Sequence, residues 1–288
     1  AYICLMHYSI FIPDSLLCED TSLRDKTIKL GMIARACAIF KVERIYIYTD
    51  EAGKYEDDFK LIKLILEYIE APQYLRKKLF PIHQGLKEAG LLPPLRTPHH
   101  KSWIPLKELK VGDVREGVIF RKGGSLWADI GLDSPIKFIG SAYDGERITC
   151  IIEQTHPYPT CRRAKSEEVK EYWGYKVLRV GSLGKVLKSG FSGLKIITSR
   201  LGYPINDHFE EIKSAIKSSS NVTLIFGSPK RGVYDMLKEE NLRPEDVGDF
   251  VINFVPSQGT ATIRTEEAVF IALSIINFIN LISQNIPS

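Results

Sequence analysis

The chain has no C-x-x-C pair, no long unbroken apolar run and little net charge. Its five cysteines, Cys4, Cys18, Cys37, Cys150 and Cys161, are odd in number and scattered, which argues against a disulfide framework and a zinc ribbon. Cys37 lies in an apolar helical stretch, where a buried free thiol is expected. The longest apolar run, Ala268 to Ile282, is broken by Ser274, Asn277 and Asn280. It falls short of the ~18 residues a membrane span needs. The start shows neither the charged n-region nor the cleavage site of a signal peptide. A soluble, cytoplasmic protein without membrane contact is expected.

Nucleotide and hydrolase fingerprints are missing too. No G-x-G-x-x-G follows a strand, so a Rossmann dinucleotide site has no support. Val180-Gly-Ser-Leu-Gly-Lys185 lacks the first glycine and the Ser/Thr of a P-loop, and there is no G-x-S-x-G elbow. Adjacent His99 and His100 on an extended chain point opposite ways. A loop anchor or a nucleic-acid contact suits them better than a metal site, and Cys161 with His156 supplies only two ligands. No metal is expected.

What remains is ordinary for a folded protein, with 44% hydrophobic and 26% charged residues. The net charge is only +4, but Thr160 to Arg200 holds ten Lys/Arg against three Glu. Such a stretch can face phosphates, or it can be a solvated lysine-rich surface.

At 288 residues the chain is long enough for two domains or one large α/β domain. Its first third alternates strand-like and helical patterns. Ser9–Pro13 and Arg44–Tyr48 read as strands. Thr21 or Ser22 can cap a helix carrying Ile28, Met32, Arg35, Ala36 and Ile39, and Tyr55 to Ile69 forms an amphipathic helix with Leu61, Leu64, Ile65 and Tyr68. This rhythm predicts a parallel sheet covered by helices. Pro93, Pro94, Pro98 and Pro105 then punctuate an aperiodic linker. Short strands follow at Arg115–Arg121, Ser125–Ile130, Ile136–Ile139 and Arg147–Glu153, suggesting a small barrel of OB type. After Thr160 the α/β rhythm resumes, with strands at Tyr175–Val180, Leu194–Thr198, Val222–Phe226 and Phe250–Val255. Helices are predicted at Asp207–Lys217, Val233–Glu239 and Thr265–Ser283. The simplest organisation is an α/β domain in two parts, residues 1–92 and 161–288, interrupted by a barrel at 93–160.

Two loops follow predicted buried strands directly, Phe226-Gly-Ser-Pro-Lys-Arg-Gly232 and Val255-Pro-Ser-Gln-Gly-Thr-Ala-Thr262. Ligands bind at the carboxyl ends of parallel strands, so two such loops favour a ligand site over plain αβ connections. Gly31-Met-Ile-Ala-Arg35-Ala-Cys-Ala-Ile-Phe40 resembles the first motif of the SPOUT superfamily of RNA methyltransferases. Gly227-Ser-Pro229 stands in place of the second, and Val255 to Ala268 resembles the third. Tyr74–Pro81, His99-His100 and Tyr172–Tyr175 also match the archaeal and eukaryotic branch in which an OB-like barrel interrupts the α/β domain.

That resemblance implies a trefoil-knotted parallel sheet, a homodimer, and S-adenosylmethionine as cofactor. Cofactor contacts would come from Thr198, Phe226, Gly227, Ser228, Pro229, Gly232, Asn253, Val255, Gln258, Gly259, Thr260, Thr262, Ile263 and Arg264. The implied substrate is ribosomal RNA, methylated at N3 of uridine. Removing the imide proton there would be helped by a cation, for which Arg35 is the candidate; a structural ion pair is its other reading. Arg121, Lys122, Arg162, Arg163, Lys230 and Arg231 are the candidate RNA contacts. Trp127 beside Arg121 and Lys122 is either a stacking platform or barrel core. An inactive, RNA-binding ribosome-assembly factor on the same fold is the alternative function. The last helix is apolar nearly all round, with Ala268, Ile271, Ile275, Ile279 and Ile282 on one face and Val269, Leu273 and Ile276 on another. Burial on more than one side is expected of it, within the fold or in a dimer.

Overall fold

The computed structural model describes residues 6–284, so Cys4 lies outside the described residues. In chain order, β1 (His7–Pro13), α1 (Leu23–Ile39), β2 (Val42–Thr49) and α2 (Glu56–Glu70) are followed by α3 (Gln73–Leu79). Five strands come next: β3 (Val114–Lys122), β4 (Ser125–Asp129), β5 (Ile136–Phe138), β6 (Arg147–Gln154) and β7 (Thr160–Arg163). Alternation then returns with β8 (Lys176–Ser182), α4 (Leu183–Lys188), β9 (Leu194–Pro204), α5 (Phe209–Lys217) and β10 (Asn221–Ile225). The chain closes with α6 (Val233–Glu239), α7 (Pro244–Val247), β11 (Phe250–Asn253) and α8 (Thr265–Gln284). Two compact units result. One takes the chain up to Glu67, Glu88–Pro93 and everything from Tyr175 on; the other is Tyr68–Lys87 with Pro94–Gly174.

The first unit is built on a six-stranded sheet in the order β11-β9-β10-β1-β2-β8, parallel at every pairing. Ile10, Phe11 and Ile12 are consecutive in β1 and fully buried, as a central parallel strand covered on both faces requires. Ser22 caps α1, its hydroxyl oxygen accepting the Asp25 N–H at 3.0 Å. The face that α1 buries is not the one its apolar spacing suggested. Leu30, Ile33, Ala34 and Cys37 are fully buried, whereas Ile28, Met32 and Ile39 are exposed. Small residues decide this. A Cβ on Gly31 would stand 3.2 Å from Leu92 and Pro93, so the slimmer side of the helix is the one that packs. Cys37 is the buried free thiol expected of it, and burial pushes its pKa well up.

Helix α8 packs against α1 and α5. At 20 residues it is long and apolar enough by length and composition to cross a membrane, which corrects the shorter run read from the sequence. Its Glu266, Asn280 and Ser283 are nonetheless buried within the fold. Val269, Leu273, Ile276 and Ile279 are buried as well, while Phe278 and Leu281 are 59% and 49% exposed.

In the second unit β3-β4-β5-β7-β6 close a barrel, with β5 and β7 parallel and the other pairs antiparallel. Its core holds Ile119, Ala128, Ile130, Ile136, Cys150 and Cys161. The fifth strand, Thr160–Arg163, escaped the sequence reading because only Cys161 among its four residues is buried. The proline-punctuated stretch is no loose linker either: Leu95 and His99 are buried.

A polar network supports this unit. The Arg147 guanidinium donates to Glu70 at 2.6 Å and to Glu116 at 2.7 Å, holding the Glu70 carboxyl below its usual range together with His99. Trp173 Nε1–H donates to Glu116 at 2.6 Å. His99 lies 2.8 Å from the Glu70 carboxylate and 3.0 Å from the Thr97 hydroxyl, the loop anchor that its sequence position suggested.

Candidate cofactor site and strand-end cavity

Sheet order brings the predicted cofactor loops together, because β9 lies between β10 and β11. Side chains then pin one loop to the next. Thr198 on β9 donates its hydroxyl to Ile225 O at 2.8 Å, and Asn253 Nδ2 donates to Arg200 O at 3.2 Å. The Arg200 guanidinium reaches Ala261 O at 3.3 Å, and Thr265 donates to Gly227 O at 3.3 Å. The loop after β11 is also closed on itself. Asn253 Oδ1 accepts the Val255 N–H at 3.0 Å, Gln258 donates to Thr260 O at 2.8 Å, and Arg264 N–H meets Glu267 at 2.8 Å.

The loop after β10 turns back so tightly that Ser228 N–H donates to Arg231 O at 2.9 Å. A Cβ on Gly227 would lie 3.0 Å from that same oxygen, so glycine is needed by close approach. Gly232 caps α6, its N–H donating to Asp235 at 3.2 Å. Phe226, expected among the cofactor contacts, is 1% exposed, and its ring belongs to the core. Pro229, Val255 and Ile263 remain half-exposed, and Gly259, Thr260, Thr262 and Arg264 line the solvent side.

These residues fit a cofactor with a flat heteroaromatic ring and a cationic tail. They offer backbone amides and carbonyls with modest apolar surface. Nearby, Glu266 Oε2 is buried without a hydrogen-bond partner among the described residues. An orphaned buried carboxylate oxygen is costly unless a positive group completes it. Arg35, the cation of the first motif, is half-buried on α1.

A cavity of about 520 Å³ opens where β1, β2 and β10 end. Lys26, Lys54, Lys230 and Arg231 line it together with Asp20, Asp50, Glu51 and Asp58. Most of these charges cancel in pairs: Lys26 meets Asp58 at 2.7 Å, Lys54 meets Glu51 at 2.8 Å, and Arg231 meets Asp50 at 3.1 Å and Glu239 at 2.7 Å. Beneath it two carboxyls lie close together. Asp14 Oδ1 accepts the Asp50 N–H at 3.0 Å, and Ser15 donates to Asp50 at 2.6 Å. Burial pushes Asp14 up to about 6 and raises Asp50 in the same direction. The sequence reading passed over Asp14 and Asp50. Their only signal was an acidic residue directly after each of two adjacent strands.

The predicted RNA contacts fall into two sets. Arg121, Lys122 and Lys230 are exposed. Arg162 is clamped between Glu153 at 2.8 Å and Glu168 at 2.7 Å, holding Glu168 down to about 2, and Arg163 meets Glu146 at 2.8 Å. Arg162, Arg163 and Arg231 therefore already have carboxylate partners. Trp127 is half-buried on the hairpin, its indole N–H donating to Lys122 O at 3.2 Å, while neighbouring Ala128 takes the core position.

Residues 7–276 match the family described as "Putative RNA methyltransferase". A 28S rRNA (uridine-N(3))-methyltransferase of Homo sapiens is 31% identical over 92% of this chain and 76% of its own length. An uncharacterized protein of Halobacterium salinarum is 32% identical over 93% of this chain and 98% of its own. Among solved structures, the A. aeolicus TrmH/SpoU tRNA modifying enzyme aligns at TM-score 0.37 and 12% identity, over 97% of this chain and 77% of that one.

Proposed function

Since the chain belongs to this family of RNA methyltransferases, we propose that it methylates N3 of a uridine in ribosomal RNA, using S-adenosylmethionine. The observation that carries this reading is the set of three interlocked loops at the ends of β9, β10 and β11. Its sulfonium makes the cofactor's methyl group electrophilic when bound. The loops hold the ligand, with backbone groups of Gly227–Gly232 and Asn253–Arg264 reading its polar edges and Ile263 covering the ring. Glu266 completes the cationic end. The remaining task is one proton and one alignment. Arg35 stabilises the imide anion of the target base, and the exposed Arg121, Lys122 and Lys230 meet RNA phosphates.

Three finer features belong to the same reading. The segment after β9 threads into a trefoil knot, supported by a sheet order in which β9 and β11 flank each other beyond β10 and by the cross-links between their loops. The barrel is OB-like. Counted along the barrel its strands run first, second, third, fifth, fourth, with the third and fifth parallel, the arrangement of a five-stranded OB barrel. The enzyme is a cytoplasmic homodimer through α1 and α8, whose Ile28, Met32, Ile39, Phe278 and Leu281 present exposed apolar surface.

Transfer of radiolabelled methyl groups to fractionated RNA, followed by nucleoside mass spectrometry, tests the activity. A 3-methyluridine product is expected. Cofactor and RNA binding without any transfer would favour the assembly factor instead.

A further inference from the structure

The barrel unit contains a second cavity, of about 730 Å³, a size typical of pockets that enclose small molecules. Arg76, Arg96 and Lys101 line it, and no carboxylate does. The indole of Trp103 also lines it and is 57% exposed. Trp103 is not part of the barrel core, and its indole stands beside these three cations.

The cavity is held in place. Trp103 sits between two anchored neighbours: Ser102 O accepts from the Arg115 guanidinium at 2.6 Å, and Ile104 N–H donates to Gly131 O at 3.3 Å. Tyr74, also in the lining, donates its hydroxyl to Glu116 O at 2.7 Å. Its ring lies against Gly131, where a Cβ would come within 2.8 Å. His100 Nε2 donates to Glu70 O at 2.6 Å, which leaves Nδ1 as an acceptor. Burial pushes that imidazole down to about 4, so at neutral pH the ring is an uncharged hydrogen-bonding wall.

The cations differ in freedom. Arg76 is fixed by donating to Ala71 O at 3.1 Å and Ile69 O at 3.2 Å; both partners are neutral, so its charge is not cancelled. Arg96 is exposed and has no ion-pair partner among the described residues. Lys101 approaches Glu171 only at 3.8 Å, with both side chains well exposed, a weak pair.

We propose that this cavity is an RNA-contacting site in which one unpaired base stacks on Trp103 and the flanking phosphates lie against Arg96, Lys101 and Arg76. Single strands are bound by this combination of a cationic groove and an aromatic face. A duplex, whose bases are already stacked, gains nothing from the indole. The assignment rests on RNA being the substrate, and it adds a place where RNA outside the target uridine is held.

Fluorescence anisotropy with a labelled single-stranded RNA of 16 nucleotides, at several salt concentrations, tests it. Trp103→Ala should weaken binding about tenfold, the loss of one base–aromatic stack, and Trp103→Phe should recover most of it. Arg96→Ala with Lys101→Ala should lower the salt slope by about 1.4, at ~0.7 per phosphate contact. S-adenosylmethionine titration should be unchanged in all three. If the wild type binds neither this RNA nor fractionated ribosomal RNA, the RNA reading itself fails. If the wild type binds and the variants, with native melting curves, match it in affinity and salt slope, this site is wrong. The site is equally wrong if Arg121→Ala with Lys122→Ala removes the whole salt dependence.

Discussion

The strand-end cavity of the sheet unit and the cavity of the barrel unit are comparable in size, about 520 and 730 Å³, but their charge differs in kind. In the first, four cations share the walls with four carboxylates and most are locked in short ion pairs. In the second, three cations stand without an acidic neighbour in the lining. Counting charge along the chain points elsewhere, to Thr160–Arg200, where Arg162 and Arg163 are spent on glutamates and Arg179 is held by Glu56 at 2.6 Å. A cation already paired with a carboxylate leaves little net charge for a phosphate to meet. Polyanion binding should therefore follow unpaired cations and not basic composition.

That contrast can be broken most severely at the buried ion pairs of the barrel unit. Arg147→Met would leave Glu70 and Glu116 buried with no guanidinium between them. A loss of about 3–5 kcal/mol is expected, read by chemical denaturation. In the sheet unit, Gly227→Val would force the β10 loop open against Arg231 O. Cofactor affinity should fall by about tenfold or more, ~1.4 kcal/mol, in titration calorimetry, while RNA affinity, to which this loop brings only Lys230, falls less.

Asp14 offers a smaller and signed effect. Because burial raises its folded pKa to about 6, the folded chain takes up a proton between roughly pH 6 and pH 4 that the unfolded chain does not. The ionised carboxyl thus opposes folding above pH 6, and that opposition fades as the pH falls to 4. Asp14→Asn should stabilise the protein by about 1–2 kcal/mol at pH 7. It should also flatten the melting temperature between pH 4 and 6; an unaltered profile would count against the raised value. The smallest change is expected from Arg162→Ala, which removes a guanidinium already neutralised by Glu153 and Glu168. RNA affinity should move by less than about threefold. A large drop would restore the basic stretch as the RNA face.

Periodicity located most elements, because burial imposes a repeat of two on strands and 3.6 on helices. It failed where burial and apolar character part company. In α1 the apolar Ile28, Met32 and Ile39 face outward, since the contact side is chosen by the thin profile of Gly31 and Ala34. In β7 a barrel strand carries two arginines whose ion pairs leave no alternation to see. The loops after β10 and β11 were legible as loops because glycine after a buried strand marks a tight turn. Trp103 and Arg96 were not, because they lie in a proline-rich stretch whose folding is set by distant partners, Arg115 and Gly131. Asp14 and Asp50 come together only through the pairing of β1 with β2, which local pattern does not encode.

The pairing of Ser9 with Thr223 has a consequence in time. Strand β1 meets β2 soon after synthesis, but its other neighbour leaves the ribosome roughly two hundred residues later. At ~5–20 residues per second that interval is about 10–40 s. Within it every strand of the barrel emerges and can close, whereas β1 keeps one bare hydrogen-bonding edge along Ser9, Ile10 and Phe11. Such an edge templates aggregation. The nascent chain is thus vulnerable along β1, and its need for chaperone shielding should end when β10 arrives.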